Sequence, residues 1–221
     1  MKQVLRSAVI FLAVMGTLGE IVPKAKGQAI EELFTPDTPI HREGYKTWSV
    51  FLVCNPEWLL PENGRLLADL YQQFKAFGSA IGPDHLAVWF WKRRPRWNTP
   101  QLAEDIDVDR SVKYCQAFKL LPSRGPHVLV TAEYPDLTNP PSNYEAIELA
   151  GTPPREISSF LSKLADRLLV QGLRTKTPGS DSYWVAWFEA IRGTLTGLGE
   201  RVRITINTSF FKIEMSGTPG H

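Results

Sequence analysis

The stretch that most limits what this chain can become runs from Ser49 to Glu62. Ser49-Val50-Phe51-Leu52-Val53 is a continuous apolar run, too short for a helix and suited to a strand covered on both faces. Cys54-Asn55-Pro56-Glu57-Trp58-Leu59-Leu60-Pro61-Glu62 then turns the chain into a segment with Leu66, Leu67, Leu70, Tyr71, Phe74 and Phe77 at helical spacing. Pro61 suits a helix start, where its missing N–H would have had no partner. A strand over 46–54 and a helix over 62–78 are expected, the helix ending near Gly78 with Gly82-Pro83 as a stop signal.

His85 to Trp91 is again apolar on both faces and reads as a second central strand. Strand, helix and strand within so short a span form a βαβ unit, with parallel strands and a right-handed crossover. After a loop over 93–108, Asp109 is expected to cap a helix reaching Leu121, with Val112, Cys115 and Phe118 on one face. Gly125 to Thr131 is a further strand. Tyr144 to Gly151 alternates apolar and polar residues, the pattern of a half-exposed edge strand. Pro153-Pro154 opens a helix carrying Ile157, Phe160, Leu161, Leu164 and Leu168.

The order of these elements resembles the thioredoxin-like superfamily. In that family a hydrophobic strand runs into Glu-Trp-Cys-Gly-Pro-Cys at a helix N-terminus. Here Glu57-Trp58 and Pro61 keep the frame, with Leu59 and Glu62 at the two cysteine positions. The resemblance covers about residues 46–172. It implies an α/β fold, a three-layer α/β/α sandwich with a mixed central sheet, extended at the C-terminus by a helix and strand. It also implies a cis-proline at Pro126, at the start of the strand facing the active-site turn, although Gly125 departs from the β-branched residue usual before it. The family's chemistry needs a thiolate stabilised by the helix N-terminus, and leucine supplies none. The resemblance therefore implies a redox-inactive exported member that binds a partner through the former active-site rim: Trp58, Leu59, Leu60, Pro61, Glu62, Gly125, Pro126 and His127. A His127–Glu62 acid/base pair and a purely structural hydrogen bond of His127 are both open.

The alternative is a thiol–disulfide oxidoreductase or peroxidase using Cys54, with Cys115 as resolving cysteine. The family's fold would put those two residues on or beside one sheet, so they form either a disulfide or two separate buried thiols. A third reading is a subunit of an envelope assembly, docked through its aromatic tail.

The N-terminus carries Lys2 and Arg6 ahead of an apolar core from Ser7 to Gly19, with small residues at Gly27 and Ala29. That is the pattern of a secretory signal peptide over 1–29, cut after Ala29, unless the segment remains as an anchor. Residues 30–45 read as an extended lead-in, 46–173 as the thioredoxin-like domain, and 174–221 as a C-terminal aromatic helix and strand. Trp184, Trp187, Phe188, Ile191 and Leu195 give that helix one apolar face, to be buried on its own domain or on a partner. The location expected is periplasmic or secreted, and the partner another exported or envelope protein; oligomeric state is left open.

A net charge of +2 gives no basic excess of the kind nucleic-acid binding requires. Lys92-Arg93-Arg94-Pro95-Arg96, flanked by Trp91 and Trp97, is the local exception; it reads as an anionic-polymer contact or as a solvated loop closing a strand. His41, His85, His127 and His221 show no metal-ligand spacing, and there is no phosphate loop or G-x-S-x-G elbow. No cofactor is expected.

Overall fold

The computed structural model describes residues 33–97, 99–120, 125–149 and 151–196, with the backbone of two further strands at 203–208 and 212–216. The expected signal peptide over 1–29 lies outside the described residues.

The apolar run forms β1 (Thr47–Val53), all seven residues of which are buried. Strand alternation sends Trp48, Val50 and Leu52 into one core and Phe51 and Val53 into another. Helix α1 (Gly64–Ile81) follows, then β2 (His85–Trp89), parallel to β1. A short α2 (Leu102–Asp105) and α3 (Val108–Ala117) lead to β3 (Pro126–Thr131), antiparallel to β1. Next come β4 (Tyr144–Glu148), antiparallel to β3, and α4 (Pro154–Val170). The chain continues through α5 (Asp181–Thr196), β5 (Arg203–Thr208) and β6 (Lys212–Ser216). The result is one mixed sheet in the order β2-β1-β3-β4-β5-β6. Helices α1, α4 and α5 bury their apolar faces on one side, while α3 covers the other with Tyr114 and Cys115.

Several expected boundaries move, each for a local reason. Helix α1 begins at Gly64, because Pro56–Trp58 and Pro61–Asn63 are separate 3-10 turns. It also runs through Gly78 to Ile81, where a Cβ on Gly78 would come 2.5 Å from that of Ala87. Gly78 is thus a site of close helix–sheet approach rather than a stop. The cap of α3 is Asp107, whose side chain accepts from the Arg110 N–H at 2.9 Å, and not Asp109. The expected edge strand is not an edge. β5 pairs with β4 on its free side, and Glu145 and Glu148 are buried.

The lead-in packs Phe34 and Ile40 into the core, and Phe34 bridges to Phe90 just beyond β2. The C-terminal extension joins its own domain. Tyr183, Trp187 and Ile191 of α5 are buried in the core shared with α1 and α4. Tyr183 takes that place although the sequence had put Trp184 and Phe188 on the inner face; both are only partly buried. No described helix is long and apolar enough to cross a membrane.

Candidate functional site

The C-terminal end of β1 organises the site. Asn55 accepts the Glu57 N–H through its side chain at 2.9 Å, and the Trp58 N–H bonds the Asn55 carbonyl. This Asx-type turn holds Trp58 against Phe51, ring centroids 6.2 Å apart. Leu59 is half-buried against the same core, while Leu60 is 46 % exposed and Pro61 and Glu62 stand in solvent. The turn therefore presents an apolar rim at the start of α1, with Glu62 favourably placed near a helix N-terminus.

Register brings the second half of the site alongside. Val53 lies opposite Pro126 and Leu52 opposite His127. Val53 and Val128 face the core that Trp58 joins, so Pro126 sits on the Trp58 side. His127 points the other way, with Leu52 and Cys54. The structure thus gathers Trp58, Leu59, Leu60 and Pro126 at one end of the sheet and separates His127 from Glu62. His127 instead places Nδ1 3.3 Å from Cys54 Sγ. Burial holds its pKa down at about 4, against a hydrogen bond with the Gly125 backbone that favours the charged form. No His127–Glu62 acid/base pair forms.

The expectation of a cis-proline is corrected. No described peptide bond is cis, that between Gly125 and Pro126 included. Gly125 takes φ of +99°, a conformation that β-branched residues avoid, and it turns the chain into β3 with a trans bond.

Cys54 and Cys115 form a disulfide, their Cα atoms 5.9 Å apart. It ties the end of β1 to α3 beneath the sheet, and the two residues are 3 % and 0 % exposed. Neither sulfur is a free thiol, and neither meets the rim.

Sequence reasoning missed one neighbour of this rim. Helix α2 packs against the Pro61–Asn63 turn, and a Cβ on Gly64 would meet the Thr99 carbonyl oxygen at 1.9 Å. The loop carrying Trp97 is thereby drawn to the start of α1. Trp97, 38 % exposed, stacks on Tyr71 with centroids 5.0 Å apart and meets Trp91 edge-on at 5.3 Å. Its only signal was its place in the basic, Trp-flanked segment. That segment is fastened by Asp105, which accepts from Arg93 Nε at 2.6 Å, Arg96 Nη2 at 2.9 Å and the Arg96 N–H at 2.8 Å. Burial would raise the Asp105 carboxyl, but the hydrogen bonds from Arg96 and Arg93 hold it below its ordinary value. The arrangement is that of a closed loop.

The other polar candidates are structural. His85 is fully buried between Thr47 Oγ1, 2.8 Å from Nδ1, and Ser49 Oγ, 2.9 Å from Nε2, and burial lowers its pKa to about 3. A neutral ring satisfied on both sides inside the core has no substrate to reach. Among the described residues no group of three His, Cys, Asp or Glu side chains is placed to hold a metal ion.

No protein-family model matches the chain, nor does any curated protein or solved structure.

Proposed function

We propose that the chain is an exported, redox-inactive thioredoxin-like protein that binds an extended segment of another exported or envelope protein at the Trp58–Glu62 rim. The observation that carries the reading is the turn itself. At the strand-to-helix step where that family keeps its cysteines, this chain presents half-buried Trp58 and Leu59, exposed Leu60, and no thiol. Trp97, on the loop that packs at the start of α1, adds a second exposed aromatic ring stacked on Tyr71. Such a surface can hold an apolar segment of a partner without reacting with it.

The fold assignment is supported by the order β2-β1-β3-β4, by the antiparallel direction of β3, and by α1 and α4 lying on one face with α3 on the other. Export is supported by the Lys2–Arg6 start and apolar stretch, and by a disulfide of the kind that persists in oxidising compartments. The oxidoreductase alternative needs an accessible sulfur, whereas both are paired and buried.

The test is affinity for a labelled, alkylated unfolded polypeptide, measured by fluorescence anisotropy. Leu60→Asp and Trp58→Ala should each weaken binding by about tenfold or more. Unchanged affinity in both variants removes the reading. Catalysed insulin reduction, lost in Cys54→Ser, would restore the alternative.

A further inference from the structure

The geometry points to a second site, at the opposite end of the sheet, that takes a small aromatic anion. A cleft of about 780 Å³ opens where the chain enters β1 and leaves β3, between the segments 42–48, 132–134 and 175–178. The cleft is open to solvent along one side and wide enough to seat one small ring with its charged group. Trp48 and Tyr134 form one wall, edge to face at 5.8 Å.

Three cationic side chains line the cleft, Arg42, Lys46 and Lys176, against one carboxylate, Glu133. Lys46 is engaged by Asp84 at 2.9 Å and Arg42 feels the charge of Asp136 from the adjoining cleft, so an anion would meet Lys176 on one wall and displace Asp136 from Arg42 on the other. Arg42 lies 5.4 Å over the Tyr134 ring, which holds its guanidinium at the aromatic wall of the cleft. A carboxylate or phosphate between two cations gains charge-assisted hydrogen bonds, and an attached ring would pack beside the Arg42 guanidinium along the exposed part of Tyr134.

The walls are fixed before any ligand arrives. Trp48 Nε1 donates to the His41 carbonyl at 3.0 Å, and the Tyr134 hydroxyl donates to that of Ile40 at 3.1 Å. Thr131 Oγ1 accepts the Glu133 N–H at 3.0 Å and shares its one proton between the carbonyls of Glu133 and Asn143, which closes the loop after β3. On the other side Gly179, at φ of +79°, lets the linker approach Ala132 so closely that a Cβ there would be 3.3 Å from Ala132 Cβ. A site held by these bonds loses little entropy on binding. A smaller cleft of about 320 Å³ shares Arg42, Glu133 and Tyr134 and adds Asp136 and Asn139, room for a hydrogen-bond donor on the far side of the ring.

The probe is phenyl phosphate, titrated calorimetrically into the full chain, with inorganic phosphate and benzyl alcohol as comparators. Saturable binding of phenyl phosphate is expected, tighter than either comparator. It should weaken by about fivefold or more in Arg42→Gln and in Lys176→Gln. Leu60→Asp, at the other end of the sheet, should leave it unchanged. Both charge variants replace side chains that reach solvent, so the fold survives them. No saturable binding, equal binding of either comparator, or the same affinity in both charge variants overturns the site.

Discussion

His127 Nδ1 lies 3.3 Å from Cys54 Sγ, on the side of the sheet where Cys115 closes the bridge from α3. A bridged sulfur has no proton, so any hydrogen bond here is donated by the imidazole. The contact joins β1, β3 and α3 at one point, so the disulfide staples the end of β1 to the helix that covers it. Its closed loop spans a sequence separation of 61. On the chain-entropy account such a loop contributes roughly 4 kcal/mol. Urea unfolding of Cys54→Ala/Cys115→Ala should show a loss of about that size, while the native protein resists thiol reductants because both sulfurs are buried. A loss below about 1 kcal/mol would mean that the bridge holds nothing in place.

Acid stability should report three buried groups acting in opposite directions. His85 and His127 have folded-state values of about 3 and about 4. Both are depressed, so the stability they carry is present above the unfolded value near 6.5 and is lost as pH falls towards the folded ones. Between pH 7 and 5 each loses about 2 kcal/mol. Glu145, desolvated and with Oε2 lacking a donor among the described residues, is raised to about 8. Its sign is reversed: its stability is present below the unfolded carboxylate value and is lost as pH rises to about 8. Over the same interval it regains about 2–3 kcal/mol on acidification. The parent protein should therefore lose only about 1–2 kcal/mol between pH 7 and 5, whereas Glu145→Gln should lose about 4 kcal/mol. Parallel pH profiles in denaturant melts would sink this assignment.

How much of this was legible follows from which signals were local. The run Ser49–Val53, the stripe of α1 and the apolar patch His85–Trp89 carry their period in consecutive residues, and the sheet follows from them. The rim turn was legible for the same reason: strand, proline and helix are adjacent in sequence. Long-range partners were not. Tyr144 to Glu148 has the alternation of an edge, but β5 pairs along it from far down the chain, and Glu145 and Glu148 are buried. The Trp97 loop meets the start of α1 at the close approach to Gly64 and the stacking on Tyr71, which no pattern in either segment announces. The side of the sheet taken by His127 depends on a register with β1 that sequence spacing alone leaves free.

Gly64 offers a direct check on that loop. Alanine is the better helix former by about 1 kcal/mol, and Gly64 opens α1 with ordinary helical angles. Yet its Cβ would stand 1.9 Å from the Thr99 carbonyl oxygen, in a loop that Arg96 and Asp105 fasten from the other side. Gly64→Ala should therefore destabilise the fold by about 2 kcal/mol or more. Gly193→Ala, whose Cβ would meet only the flexible Arg167 side chain at 3.6 Å, should be neutral or stabilising by up to about 1 kcal/mol. Thermal melts of the two variants compare them. Equal effects would mean that the Trp97 loop is not pressed against α1.

The tail gives the last test, because its role in the core decides whether it is free to dock elsewhere. Trp187 is fully buried and meets Phe77 of α1 with centroids 5.8 Å apart, and Tyr183 and Ile191 join the same core from α5. Truncating a buried tryptophan to alanine typically costs about 3–5 kcal/mol, so Trp187→Ala should be among the most damaging substitutions in the chain. A chain ending at Leu173 leaves the faces of α1 and α4 that α5 covers open to water, and aggregation is expected. Val185, on the outward side of α5 at 61 % exposure, should tolerate Asp with little change. Far-UV circular dichroism and size-exclusion of the three variants separate the cases. A soluble, cooperatively folded 30–173 chain would make the helix an appendage and reopen its use as an assembly element.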